Sequence, residues 1–407
     1  MRILIVSQYF HPENFRVNQL ATALRESGHD IVVLTGEPNY PSGRFFPGYG
    51  SWRPRTEAWN GIDIVRVPIF ARRAGRGWQL ALNYLSFAIS ATLFGLPKAR
   101  GKFDACIAFC PSPITIAIPA IVQRMLRKTP VAIWLQDLWP ESVLAVTRTR
   151  SAFMKRGLSA LVRWIYRRVD QIWIQSRAYA GSVTAHGGRD EQIVYLPNWA
   201  EDLYDCSRWT DIAADPLPPN TILYAGNFGR AQGLDTVIEA ADHGRAIAPP
   251  VHWMLIGDGL LNDWLRNEIS RRSLDQHVTV MPWRAPQELP GLIKSAAALL
   301  VILADDPVFA QTIPSKLQSC LASGRPIVAA LAGESARIVE EAQCGIVCPP
   351  QDAAALADAS RAIAAMPQAD RDHLGRNAHA YFQAHFTQSR IVETVLERLR
   401  VLAERGP

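Results

Sequence analysis

Short, mostly apolar runs recur along the chain, separated by stretches in which apolar positions return every three or four residues. The runs at 3–6, 31–34, 62–67, 105–109, 131–135 and 171–174 show no polar alternation. That pattern marks strands buried on both faces, as in a parallel sheet. Between the first two runs, residues 17–25 have helical spacing and stop at Gly28, giving a strand-helix-strand unit. Residues 39–50 (NYPSGRFFPGYG) are too rich in Gly, Pro and aromatic residues for either element and read as a loop able to cover a site.

The alternation lapses at 197–220, where Pro216, Pro218 and Pro219 mark a linker, and resumes with runs at 221–225, 252–256, 278–281, 298–303, 327–330 and 346–347. Two doubly wound α/β domains are therefore predicted, 1–199 and 221–386, joined by a linker at 200–220. A C-terminal helix at 387–407 places Ile391, Val395, Leu399 and Leu402 on one face and is expected to dock, with the first domain as a candidate surface.

Two helical stretches depart from this plain pattern. Residues 78–96 (WQLALNYLSFAISATLFGL) approach the length that crosses a bilayer and follow Arg72, Arg73 and Arg76. Gln79, Asn83, Ser86, Ser90 and Thr92 dilute the stretch, which favours lying on a membrane over spanning it. Residues 153–169 set Lys155, Arg156, Arg163, Arg167 and Arg168 beside Leu158, Leu161, Trp164 and Ile165. Core helices with a solvated basic face have the same periodicity, so both readings stand.

Composition adds three constraints. A chain of 407 residues, 48% hydrophobic and 20% charged, is that of a two-domain globular protein. Its net charge of +6 is uneven: residues 1–200 hold 25 Lys+Arg against 12 Asp+Glu, and residues 201–407 hold 18 against 25. The basic half fits an anionic membrane surface better than nucleic acid, because no helix-turn-helix, zinc-finger or RNP-like pattern accompanies it. The six cysteines form no CxxC pair and are expected as reduced, buried residues of a cytoplasmic protein. The start, MRILIVSQYF, runs directly into a strand, so export is not expected.

Ligands of parallel sheets gather beyond the carboxyl ends of the strands. After 221–225, Gly226 and Gly229 allow backbone amides to approach a phosphate and Arg230 supplies charge. Gly257 follows the next run, and Trp283 with Arg284 follows the third, where they could flank a nucleobase. Residues 312–334 (TIPSKLQSCLASGRPIVAALAGE) start a helix near Pro314 and end it near Gly324, leaving Lys316 in its first turn. A cation there opposes the helix dipole, which makes sense beside a bound diphosphate; a solvated surface lysine is the alternative. In the first domain His11, Glu13, Asn14 and Arg16 follow one strand, while Gln136, Asp137 and Glu141 follow another. Asp137 could take a hydroxyl proton or bind a sugar hydroxyl, or cap a helix ahead of Pro140. Neither a metal-ligand cluster nor a GxSxG elbow is present in the sequence.

HPENFR with GEPNYPSGR, QDLWPES, GNFGRAQGLDTVIEAA and IPSKLQSCLASGRP, in that order, resemble the WbuB-like branch of glycosyltransferase family 4. The resemblance implies a GT-B architecture, two Rossmann-like domains facing each other across a cleft. It implies a retaining transferase that needs no metal or other cofactor and takes a nucleotide sugar, UDP-linked, as donor. The acceptor it implies is a polyprenol-diphosphate-linked saccharide of O-antigen or capsule type, met on the cytoplasmic face of the inner membrane. Carried over by position, Asp137 and Lys316 are the catalytic candidates. Donor contacts would come from Gly226, Asn227, Gly229, Arg230, Gln232, Gly257, Trp283, Arg284, Gln311, Pro314, Ser315, Lys316 and Ser319. Acceptor contacts would come from His11, Glu13, Asn14 and Arg16. Asn227 and Gln232 stand where many family members have Arg and Lys, Gln311 and Ser319 where many have paired glutamates, and Gln136 where a histidine is common. The WbuB-like branch is similar at these points. A nucleotide-sugar epimerase of similar fold and a non-catalytic membrane-surface scaffold are the competing functions.

Overall fold

The computed structural model describes residues 1–73, 77–147 and 151–405. It forms two compact units: Met1–Leu196 together with the chain from Val392 onward, and Pro197–Ile391. The first contains strands β1 (Arg2–Val6), β2 (Asp30–Gly36), β3 (Arg55–Trp59), β4 (Ile62–Val67), β5 (Ala105–Cys110), β6 (Val131–Leu135), β7 (Gln171–Ile174) and β8 (Ile193–Tyr195). They lie in the order β3-β4-β2-β1-β5-β6-β7-β8. All pairings are parallel except β3 with β4.

Strand β3 has no apolar run because it is an edge strand whose side chains alternate between partial and full exposure. Its hairpin turn is Asn60-Gly61, with φ of 50° and 71°, the left-handed pair that a tight hairpin needs. That dipeptide was the visible signal for it.

The second unit contains β9 (Thr221–Ala225), β10 (His252–Ile256), β11 (Val278–Met281), β12 (Ala298–Ile302), β13 (Ile327–Ala330) and β14 (Gly345–Cys348), ordered β11-β10-β9-β12-β13-β14 and all parallel. Among the parallel strands of each sheet the order reverses once, at β1/β5 and at β9/β12. Loops leaving those strands open into a crevice rather than crossing over the sheet.

The apolar stretch forms the helix Gly77–Lys98, with a π-type turn at Ala91–Gly95. Unlike an ordinary surface helix, it also exposes a stripe of large apolar residues. Asn83, Phe87, Ala88 and Ala91 are buried, while Trp78, Leu82, Leu85, Ile89 and Leu93 face outward. Buried Asn83 accepts from Gln8 Nε2 at 2.6 Å and donates to the Phe70 carbonyl, and Ser86 Oγ accepts from Phe70 N at 3.0 Å. The polar residues that dilute the stretch thus fasten it to the first unit, where an unpaired buried amide would be costly. Gly95 is required by contact, since a Cβ there would lie 2.4 Å from Leu34 Cδ1.

The basic stretch forms the helix Ala152–Tyr166, which buries Val162, Ile165 and Tyr166 against the core and leaves Phe153 89% exposed. Its apolar face is therefore largely spent inside the unit. Arg76 lies outside the described residues. The last helix, Gln388–Arg405, buries Ile391, Val395, Leu399 and Leu402, as their common face requires. Full burial of such a side chain contributes about 1.5–3 kcal/mol. The cysteines are free thiols; Cys206 is half-buried, unlike the other five, because it sits in a short turn of the segment before β9.

Candidate active site

In the second unit, four loops at the carboxyl end of the sheet pack on one another. The loop after β9 is clamped to the loop after β10 by Gly226 N to Ile256 O (2.9 Å), Phe228 N to Asp258 O (2.9 Å) and Leu261 N to Phe228 O (2.9 Å). Only glycine fits at 257, where a Cβ would lie 1.9 Å from the Gly226 carbonyl. The loop after β12 joins them through Ala304 N to Ala231 O at 2.9 Å. The loop after β13 follows, with Gly333 at φ +65° and its Cα against the Ala310 carbonyl.

Into this cluster comes the helix Ser315–Ala322, with Pro314 at its N-cap and Gly324 in the left-handed conformation just past its end. Lys316 turns inward. Its Nζ lies 3.1 Å from the centroid of the Tyr224 ring, and a Cβ at Gly226 would stand 2.7 Å from it. The ammonium is shielded from solvent and has no hydrogen-bond acceptor among the described residues. Burial lowers its pKa to about 7, because a cation that gives up water without gaining an anion is destabilised. The ring face returns part of that loss. A buried cation without an acceptor at the start of a helix is suited to holding an anion, although the amides of Gly226 and Gly257 are spent on Ile256 O and Met281 O.

Tyr224 holds the loop as well as the lysine. Its hydroxyl donates to Asn227 O at 2.7 Å and to Gln232 Oε1 at 3.3 Å. The Asn227 amide lies between two glycines: a Cβ at Gly229 would be 2.8 Å from its Nδ2 and one at Gly259 2.6 Å from its Oδ1. Arg230 is exposed and opens the short turn Arg230–Gln232. Gln311 donates to Pro307 O and Ser319 to Ser315 O, so both are engaged with their own helices. Trp283 is 65% exposed, and Arg284 buries an Nε that has no acceptor among the described residues.

The residues read from the first unit divide into two groups. His11 stacks on Trp59 (4.6 Å between ring centroids), and its carbonyl accepts from Arg66. Burial and the Arg66 charge lower its pKa. Glu13 is 2% exposed and accepts from Asn39 N at 2.8 Å and Tyr40 N at 2.7 Å, which ties down the 39–50 loop. Burial outweighs those amides and raises its pKa to about 7. Asn14 is exposed, and Arg16 opens the helix Arg16–Glu26.

Asp137 belongs to the second group. The next helix, Glu141–Thr147, starts too late for Asp137 to cap it. Burial raises its pKa to about 6. Tyr84, from the helix Gly77–Lys98, senses its charge and is in hydrogen-bonding reach of Ser112 and Tyr9. Arg72 acts on both tyrosines and has its guanidinium 5.0 Å from the Tyr40 ring centroid. Tyr9, Tyr84, Arg72 and Tyr224 were missed by sequence reasoning. Only the placement of Tyr9 and Tyr224 at strand ends hinted at them.

Asp205, Cys206 and His379 bring ligand-type atoms within 4.8 Å of one another. The Asp205 carboxylate is occupied by Ser207, His379 (2.8 Å) and Gln383 (3.3 Å), which makes the group a structural tie between the segment before β9 and the helix Gln368–His385.

Residues 14–199 match the family model of the glycosyl transferase 4-like domain, and residues 219–365 match that of the glycosyl transferases group 1. The chain is 27% identical over 353 residues to the putative colanic acid biosynthesis glycosyl transferase WcaI of Escherichia coli K12, covering 80% of this chain and 82% of that one. It is 23% identical over 265 residues to the probable glycosyltransferase WbjE of Pseudomonas aeruginosa, covering 62% and 64%. Among solved structures, WaaG, a glycosyltransferase involved in lipopolysaccharide biosynthesis, superposes with a TM-score of 0.68 at 14% identity, over 98% of this chain and 99% of that one. Anabaena HepE in complex with UDP-glucose gives 0.64 at 17%, over 98% and 100%. At such identities the structural likeness establishes the fold, the GT-B type.

Proposed function

The chain belongs to the group 1, family 4 glycosyltransferases, and we propose that it is a retaining enzyme moving a sugar from a UDP-linked donor to a polyprenol-diphosphate-linked saccharide. The process would be surface polysaccharide assembly of O-antigen or capsule type, on the cytoplasmic face of the inner membrane. Relatives named for colanic acid and lipopolysaccharide biosynthesis support the process. A neighbour solved with UDP-glucose supports the donor.

One observation carries the reading: the Lys316 ammonium, buried against Gly226 with no acceptor of its own among the described residues. In the transfer, the bond from the anomeric carbon to the donor diphosphate breaks as a bond to the acceptor oxygen forms. Negative charge grows on the departing diphosphate, and Lys316 with the first-turn amides of its helix stabilises it more than it stabilises the intact donor. Asp137, raised toward neutrality, suits acceptance of the hydroxyl proton or orientation of that hydroxyl. The outward apolar stripe of the helix Gly77–Lys98 and the excess positive charge of residues 1–200 support a peripheral membrane site.

Incubating a panel of nucleotide sugars with a lipid-diphosphate-linked acceptor tests this. Transfer that requires both components is expected. Epimerised sugar without acceptor would replace the reading with an epimerase, and no donor-induced thermal shift across the panel would replace it with a scaffold.

A further inference from the structure

The first unit contains a cavity of about 330 Å³ apart from the residues discussed above, within the range of small-ligand sites. Phe45, Trp52, Ile69, Phe70, Trp78 and Leu82 form its apolar walls. Trp52 is 72% exposed, Trp78 63% and Phe70 45%, so three large rings stand in water around a hollow. Trp52 meets Phe70 edge-on at 5.8 Å. Clustered exposed rings on this scale mark a surface that something covers.

The frame of the cavity is fixed by hydrogen bonds. Asn83 and Ser86 hold the Phe70 backbone from the helix side, and Arg73 N donates to Gly43 O at 2.8 Å from the loop side. Leu82 and Trp78 continue along the helix into the outward stripe of Leu85, Ile89 and Leu93. A membrane-contacting stripe alone requires no hollow, whereas a single chain leaving the bilayer does.

Charge is one-sided. Arg73 lines the cavity, and no acidic residue does among the described residues. Arg72 is next, its backbone N held by Asn39 Oδ1 at 3.1 Å. The hollow thus combines apolar walls with one guanidinium, which matches a hydrocarbon chain that ends in phosphate.

We propose that this cavity holds the first isoprenyl units of the lipid-linked acceptor, with Arg73 on its diphosphate. The inference rests on the lipid-acceptor reading given under Proposed function.

The test uses the full chain, with farnesyl diphosphate, inorganic diphosphate, UDP and phosphatidylglycerol-containing vesicles as probes, read by calorimetry and tryptophan fluorescence. Farnesyl diphosphate should bind at least about tenfold tighter than inorganic diphosphate, and Phe70→Ser or Trp78→Ser should remove about that advantage while UDP binding stays unchanged. Leu126→Ser, at a comparably exposed apolar position outside the cavity, should leave farnesyl diphosphate binding intact. Equal affinity for the two diphosphates, or indifference to Phe70→Ser, overturns the assignment. So does a Phe70→Ser protein that loses vesicle binding alone, since the rings would then serve the bilayer. If wild-type protein still glycosylates a lipid-linked acceptor in those cases, the proposed function stands; if no lipid-linked acceptor is glycosylated, both fall.

Discussion

The ammonium of Lys316 stands 3.1 Å from the centroid of the Tyr224 ring and buries its charge with no acceptor among the described residues. A fold tolerates such a cation when a ligand supplies the missing anion. Tyr224 and Lys316 come from a strand end and a helix start far apart in sequence, and each positions the other.

Lys316→Ala should cut turnover by about ten- to a thousandfold. The measurement is kcat with saturating donor. Near-wild-type turnover would remove Lys316 from the mechanism.

The same lysine makes donor affinity depend on pH. Its pKa is lowered to about 7 without ligand, and a bound diphosphate raises it, so binding takes up a proton. UDP affinity should fall by up to about tenfold per unit as pH rises above 7, and Lys316→Met should abolish this slope. Stability moves the other way. The unfolded chain keeps the proton up to the ordinary value of 10.5, so the ligand-free protein should gain stability from pH 7 toward 10, and thermal melts of wild type and Lys316→Met should diverge over that window.

Gly226→Ala should act through the same contact. A Cβ placed 2.7 Å from Lys316 Nζ displaces the ammonium from the ring. Donor KM should rise by roughly tenfold or more with the fold intact, as checked by circular dichroism and donor titration.

Asp137 has its pKa raised to about 6 by burial. If it takes the acceptor proton, kcat/KM should climb as pH rises through about 6, and Asp137→Asn should lose this limb along with most of the rate. A variant with an unchanged profile would reduce Asp137 to a structural role.

Glu13 anchors the 39–50 loop through two amides. Glu13→Ala leaves both unpaired, at a cost of about 1–3 kcal/mol each, and limited proteolysis should then cut that loop first. Glu13→Gln keeps an acceptor oxygen and should resist cleavage nearly as wild type does.

The chain's own apolar runs determined the two α/β sheets and most strand boundaries, because strands buried on both faces are built mainly from apolar residues. Pro314 and Gly324 placed Lys316 in the first turn of a helix. Where local pattern is weak, the sequence was silent: β3 has charges at alternate positions, as an edge strand can. Composition could not decide which face of the helix Gly77–Lys98 turns inward, since its polar residues match partners only once Gln8 and the Phe70 backbone are beside them. Nor could it bring Tyr224 under Lys316 or Tyr84 to Asp137. Those pairs arise from the order in which parallel strands are laid side by side, and strand order is set by long-range packing rather than by any run of neighbouring residues.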